Sequence, residues 1–151
     1  MKPLQGLSLD LASIGQRFAA RLIDGLIFLV PYLALTVPLV EENTDGDLTL
    51  PMWTTWAMLA ASAIYEVILV AVRGQTIGKA VMKVRVVRAD GTGQLPSLGA
   101  SAIRFLLPAV VAGIPVVTLQ VASLLIYAWA IWDPNRQGLH DKAAGTVVVR
   151  A

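Results

Sequence analysis

Arg17-Phe18-Ala19-Ala20-Arg21-Leu22-Ile23-Asp24-Gly25-Leu26-Ile27-Phe28-Leu29-Val30-Pro31-Tyr32-Leu33-Ala34-Leu35-Thr36-Val37-Pro38-Leu39-Val40 carries its three charged groups at one end and is apolar over most of the rest. A bilayer core about 30 Å thick is crossed by about 20 mainly apolar helical residues. The run from Phe18 to Val40 meets that length. Two further stretches do so. Met52 to Val72 begins near Trp53 and Trp56 and holds a lone Glu66, and Ala102 to Trp132 is longer than one span requires. The whole chain agrees: of 151 residues, 56% are hydrophobic and 15% charged, with a mean hydropathy of +0.69. An ordinary soluble domain is about 45–50% apolar and about 25% charged. A small domain also leaves much of its surface in water. Lipid is therefore the expected solvent. An ordinary soluble enzyme, a disordered chain and a disulfide-stapled module are excluded.

The third stretch would reach about 46 Å as a single helix. Gly113-Ile114-Pro115 lies near its middle, and proline removes an amide donor and disfavours helix in the residue before it. A break is predicted there. Residues 98–112 then form a short interfacial or half-membrane helix, and residues 115–132 a full span with Trp129 and Trp132 in the aromatic belt. The predicted fold class is an all-α integral membrane protein. It is a small transmembrane helical bundle of three full spans plus a short interfacial or half-membrane helix, with a small cytoplasmic β-ribbon. The chain reads as one domain, 1–151: helix 1 about 15–40, an outer acidic loop 41–51, helix 2 about 52–72, a cytoplasmic loop and strand 73–97, a broken hairpin about 98–132 and a cytoplasmic tail 133–151. No cleavable signal peptide is expected, because the first long apolar run follows Arg17 with no small-residue cleavage pattern behind it.

Charge sets the predicted orientation. All twelve Lys and Arg fall within 1–24, 73–104 and 133–151, whereas Glu41-Glu42-Asn43-Thr44-Asp45-Gly46-Asp47 has four acids and no base. The positive-inside rule places Arg17, Arg21 and the Arg73–Arg88 segment in the cytoplasm and the acidic loop outside. Arg136, Lys142 and Arg150 favour an inside tail, which needs an even number of crossings. The broken third stretch then enters and returns as a hairpin. Val81 to Arg88 is β-branched and partly alternating, with Asp90-Gly91 behind it as a turn signal. Thr146 to Arg150 is a second strand candidate. Unpaired strands would leave amides unsatisfied, so the two are expected to pair.

Several polar residues are candidates for chemistry. Arg17, Arg21 and Asp24 are spaced i, i+4 and i+7 and share one helical stripe. Arg21 and Asp24 are three apart and able to pair. Asp24 either fixes helix depth by neutralising the arginines or faces a polar cavity and binds an ion. Glu66 lies within the hydrocarbon zone of the second span, where it either locks the bundle by pairing with an arginine of the first helix or serves as a proton or cation site. His140 and Asp141 are adjacent but point about 100° apart on a helix. Asp141 is expected to accept hydrogen bonds from an arginine or cap a helix end. Gly74-Gln75-Thr76-Ile77-Gly78-Lys79 lacks the full phosphate-loop pattern, since Ala80 follows the lysine, and reads as a turn with a surface lysine. With no cysteine and one histidine, no cofactor, thiolate metal site or multi-histidine zinc site is expected, and no nucleophile constellation supports an enzyme. The weak basic excess of +2 comes without a basic run, so no nucleic-acid partner is expected.

Taken together, the segments Arg17–Asp24, Gly74–Lys79 leading into Val84–Val87, Arg104, and Leu139–Val149 resemble the RDD family of bacterial polytopic membrane proteins, which is named for one arginine and two aspartates. The resemblance implies that Arg17 is the family arginine, with Arg21 an alternative, and that Asp24 and Asp141 are the two aspartates. It also implies a bacterial inner membrane location and a transport-related role, with cation or proton exchange proposed for some members. The expected cluster is Arg17, Arg21, Asp24, Glu66, Arg104 and Asp141, with His140 and Lys79 secondary. The expected partners are the lipid bilayer, a monovalent cation or proton, and a homo-oligomer or larger complex. The rival expectation is a non-transporting accessory or assembly subunit, in which the same cluster is structural.

Overall fold

Ser13 starts the first helix. Its hydroxyl accepts from the Gln16 amide at 3.1 Å, and the Gln16 side chain accepts from the Ser13 amide at 3.0 Å. Two otherwise orphaned donors are thus satisfied reciprocally. Helix α1 runs Ile14–Thr36, passes through Pro31, and ends where Pro38 enters a short 3-10 turn. This computed structural model describes residues 10–42, 44–112 and 126–151. Glu41–Glu42 (β1) and Leu48–Thr49 (β2) pair as a small antiparallel hairpin within the acidic loop. Helix α2, Met52–Arg73, then returns. At helical rise α1 and α2 are each about 33–35 Å long, enough for the hydrocarbon core. Only 11% of the most apolar window of each is buried in the protein. Phe18, Val30, Leu35, Trp53 and Trp56 stand well exposed, as side chains that face lipid should.

Gly74 ends α2 in the left-handed conformation, φ 70°, its amide donating to the Val70 carbonyl at 2.9 Å. A Cβ there would lie 2.8 Å from both Leu95 and the Val86 carbonyl oxygen, so glycine is required by space as well as by backbone angle. The chain then forms a second short helix, α3, Ile77–Val81, capped by the Thr76 hydroxyl. Part of the segment expected to be a turn is therefore helical, because Thr76 supplies a cap to an amide three residues on.

Strand β3, Val84–Arg88, pairs antiparallel with β4, Thr146–Arg150, in the register Val86↔Val148. The two strands pair as expected, and Leu11 bridges to Val149 along the other side of β4. Val84, Val86 and Val148 pack with Ala12, Ala20 and Val70, while Val87, Val147 and Val149 pack with Leu11. The ribbon thereby covers the start of α1 and the end of α2. Helix α4, Leu98–Ala112, spans about 22 Å, short of a bilayer core, and packs on α2. The predicted break at 113–115 and most of the predicted span 115–132 lie outside the described residues. Its end, 126–131, is helical and passes into a 3-10 turn at Trp129–Ile131. Helix α5, Leu139–Ala143, precedes β4 and packs against α4.

Candidate functional site: three carboxylates at one end of the bundle

Arg17, Arg21 and Asp24 share a stripe of α1, and each engages a different element. Arg17 reaches α5, Arg21 reaches α2 and Asp24 meets α3. The stripe therefore ties together segments far apart in sequence.

Asp24 is buried and is not held by an arginine. Tyr65 Oη donates to its Oδ1 at 2.8 Å, the Gly78 amide donates to the same oxygen at 2.8 Å, and Thr76 Oγ1 donates to Oδ2 at 2.6 Å. Tyr65 in turn accepts from the Ile77 amide at 2.9 Å. The expected Arg21–Asp24 pair is corrected: Arg21 Nη1 donates to Glu66 Oε2 at 2.8 Å. The reason is geometric. Asp24 faces the first turn of α3, where amides lack intrahelical partners. Three oriented neutral donors stabilise a carboxylate without the cost of burying a cation beside it. Gly78 makes this approach possible, since a Cβ there would sit 2.9 Å from the Asp24 carboxyl carbon and would press on the Ala20 carbonyl oxygen.

Asp141, fully buried, is held by charge. Arg17 Nη2 contacts Oδ2, and Arg17 Nη1 donates to the Arg136 carbonyl oxygen. Arg104 Nη1 lies 2.8 Å from Oδ1, an ion pair whose angles fall outside those of a hydrogen bond. The Gly138 amide donates to Oδ2 at 3.1 Å and so caps α5. Burial pushes the Asp141 pKa up, but Arg104, His140, Arg17 and the Gly138 amide outweigh it and hold the carboxyl well below its usual range. His140 is lowered to about 4, chiefly by burial and against the pull of Asp141. It is therefore neutral near pH 7. Beside these, Asp133 pairs with Lys142 and accepts from the Asn135 and Gln137 amides at 3.0 and 3.1 Å, which folds the tail. Burial opposes the lowering of its pKa and loses to the Lys142 and amide contacts.

Glu66 is the third carboxylate. Besides Arg21 it has Lys79 Nζ at 3.8 Å. Lys79 is corrected from surface lysine to buried lysine: it is 8% exposed and donates to Thr76 Oγ1 at 3.2 Å. Its position within α3 turns it inward, a consequence of the helix that the reading as a turn missed. Burial pushes its pKa down, and Glu66 opposes this.

These groups surround a cavity of about 570 Å³. Arg17, Arg21, Glu66, Lys79, Arg104 and His140 line it together with Phe18, Val84, Tyr127, Ile131 and Val148. The Arg21 guanidinium stands 5.4 Å from the Tyr127 ring centre. Among the described residues, no three His, Asp or Glu side chains converge on a point where a metal could sit.

The family model of the RDD family matches residues 11–145. The chain belongs to the RDD family. Comparison with curated proteins and with solved structures returned no match. With its two long apolar helices, this RDD chain is a membrane protein. Of the three residues that the resemblance to the RDD family implied, Arg17 and Asp141 meet across 124 positions of sequence. Asp24 lies on the α3 side. Sequence reasoning missed Tyr65, Thr76 and Gly78 as its partners. A legible signal existed at Thr76, since a threonine at a helix start is a common cap.

Proposed function

We propose that this RDD protein is a multi-pass protein of the bacterial inner membrane with a transport-related role, and that Glu66 is its ion-responsive carboxylate. On this reading residues 115–132 form a third span. The N-terminus and the tail are cytoplasmic, and so is the ribbon. One observation carries the proposal: of the three carboxylates Glu66 is the one that lines the cavity, where it pairs with Arg21 and Lys79, whereas the Asp24 oxygens are filled by three neutral donors and Asp141 is enclosed with two guanidinia away from the cavity wall. Asp24 and Asp141 then hold the bundle together. Glu66 exchanges a proton when it parts from Arg21 and Lys79, since an acid inside a membrane protein that faces a cavity is a natural relay. Four basic side chains on the same wall make a metal cation a poorer match than a proton. A chain this small is expected to work as a homo-oligomer or with a partner.

The test is proton flux in liposomes of the purified chain, reported by an entrapped pH dye. Wild type is expected to exceed empty liposomes, and Glu66→Gln to fall to their level. Wild-type flux equal to that of empty liposomes would sink the proposal. The orientation is tested by labelling single cysteines introduced at Lys142 and Thr44. Label reaching Lys142 only from outside would overturn the inside tail. The enclosed state of Asp24 and Asp141 favours a second reading, an accessory or assembly subunit. A stable partner retained in mild detergent, with no flux, would decide for it.

A further inference from the structure

The cavity wall is unbalanced in charge. Arg17, Arg21, Lys79 and Arg104 line it, and Glu66 is the carboxylate among the lining residues. With the enclosed Asp24 and Asp141 counted, four basic groups still face three carboxylates. Arg104 is 5% exposed, and its Nε has no hydrogen-bond partner among the described residues. A buried N–H left unpaired is costly, and an oxyanion in the cavity would satisfy it once the guanidinium turned its Nε toward the head. Apart from His140 and Tyr127, the remaining wall is apolar, with Phe18, Val84, Ile131 and Val148 among its side chains. About 570 Å³ lies within the range of small-molecule sites, about 300–1,000 Å³.

We infer that this cavity binds an amphiphilic anion, a phosphate head with an apolar tail, and that Glu66 is an internal counter-ion that the head displaces from Arg21 and Lys79. The inference rests on the cavity being the working site of the proposed function, and it names the ligand class. The phosphate meets Arg21, Lys79 and Arg104, and the tail lies along the apolar wall. The head alone is shared by two sources, an anionic lipid and free phosphate, and only the lipid supplies the tail. The role assigned to Glu66 gives a sign. A cation ligand would be lost with Glu66→Gln, whereas a counter-ion that competes with the head would be relieved.

The experiment is native mass spectrometry of the full chain in non-ionic detergent, titrated with phosphatidic acid, phosphatidylcholine or inorganic phosphate. Wild type is expected to retain phosphatidic acid about tenfold better than phosphatidylcholine. Lys79→Gln should weaken retention about tenfold, and Glu66→Gln should strengthen it by a similar factor. Arg21→Gln serves as a second loss variant if Lys79→Gln fails to fold. Inorganic phosphate that displaces phosphatidic acid at millimolar concentration would uphold the anion site but overturn the role given to the tail. Equal retention of phosphatidylcholine, or weaker retention by folded Glu66→Gln, would overturn the inference. Proton flux in liposomes without any phosphatidic acid or phosphate binding would also overturn it, while the proposed function stands. Binding without flux would uphold it and remove the transport role.

Discussion

Asp24 and Asp141 are both buried, 4% and 0% exposed, and they are held by opposite chemistries. Asp24 accepts from two hydroxyls and an amide, all local to α2 and α3. Asp141 draws in two guanidinia from α1 and α4. The difference decides what each removal leaves behind. Without Asp24 the orphans are neutral donors. Without Asp141 they are the buried Arg104 and the half-buried Arg17, two cations left close together, which is far costlier. The aspartate at the helix junction is a clip, and the one in the tail is the keystone of a charge pair network.

The sharpest way to break this comparison is Asp141→Ala. It should destabilise the folded chain by about 3–5 kcal/mol, read from unfolding in detergent by tryptophan fluorescence. Gly78→Ala attacks the other region without touching charge. Its Cβ would collide with Asp24 and the Ala20 backbone, at a cost of about 3 kcal/mol, the upper end for overpacking. Asp24→Asn keeps shape and two of the three hydrogen bonds, so about 1–2 kcal/mol is expected. A loss as large as that of Asp141→Asn, measured side by side, would collapse the distinction between the two aspartates.

The last expected effect is graded, a pH dependence at the tail. The His140 pKa falls from 6.5 to about 4 on folding. Between those values the unfolded chain binds more protons, so stability is complete above about pH 6.5 and declines as the pH drops toward 4. Asp141 has its pKa depressed in the fold. Its contribution is complete above the unfolded value near 3.8 and fades only below it. Melting at pH 7.0, 5.5 and 4.5 should therefore fall in wild type and stay flatter in His140→Gln. Parallel curves would show that His140 does not titrate on unfolding.

Much of the architecture was readable from residue type. Two of the apolar runs became helices of spanning length, and Val84–Arg88 and Thr146–Arg150 became paired strands. The acidic loop showed its sign but not its hairpin, because a two-residue ladder has no periodicity to detect. At the site, the members of the charged cluster were visible as ionisable groups in apolar surroundings. Their partners were not. The spacing of Arg21 and Asp24 favoured a local pair, but both side chains instead engage elements 41–54 positions away. Lys79 was placed at the surface because a five-residue helix is too short to announce an inward face.

Hydropathy and charge placement are additive properties of residues, so membrane residence and the positions of α1 and α2 follow from composition along the chain. Which carboxylate meets which donor depends on distances between segments that only folding brings together, and electrostatic energy falls steeply with those distances. Packing of α3 against α1 gave Asp24 neutral donors, and packing of α5 against α1 and α4 gave Asp141 its guanidinia. Glu66, paired with Arg21 and Lys79, was thereby left as the acid on the cavity wall.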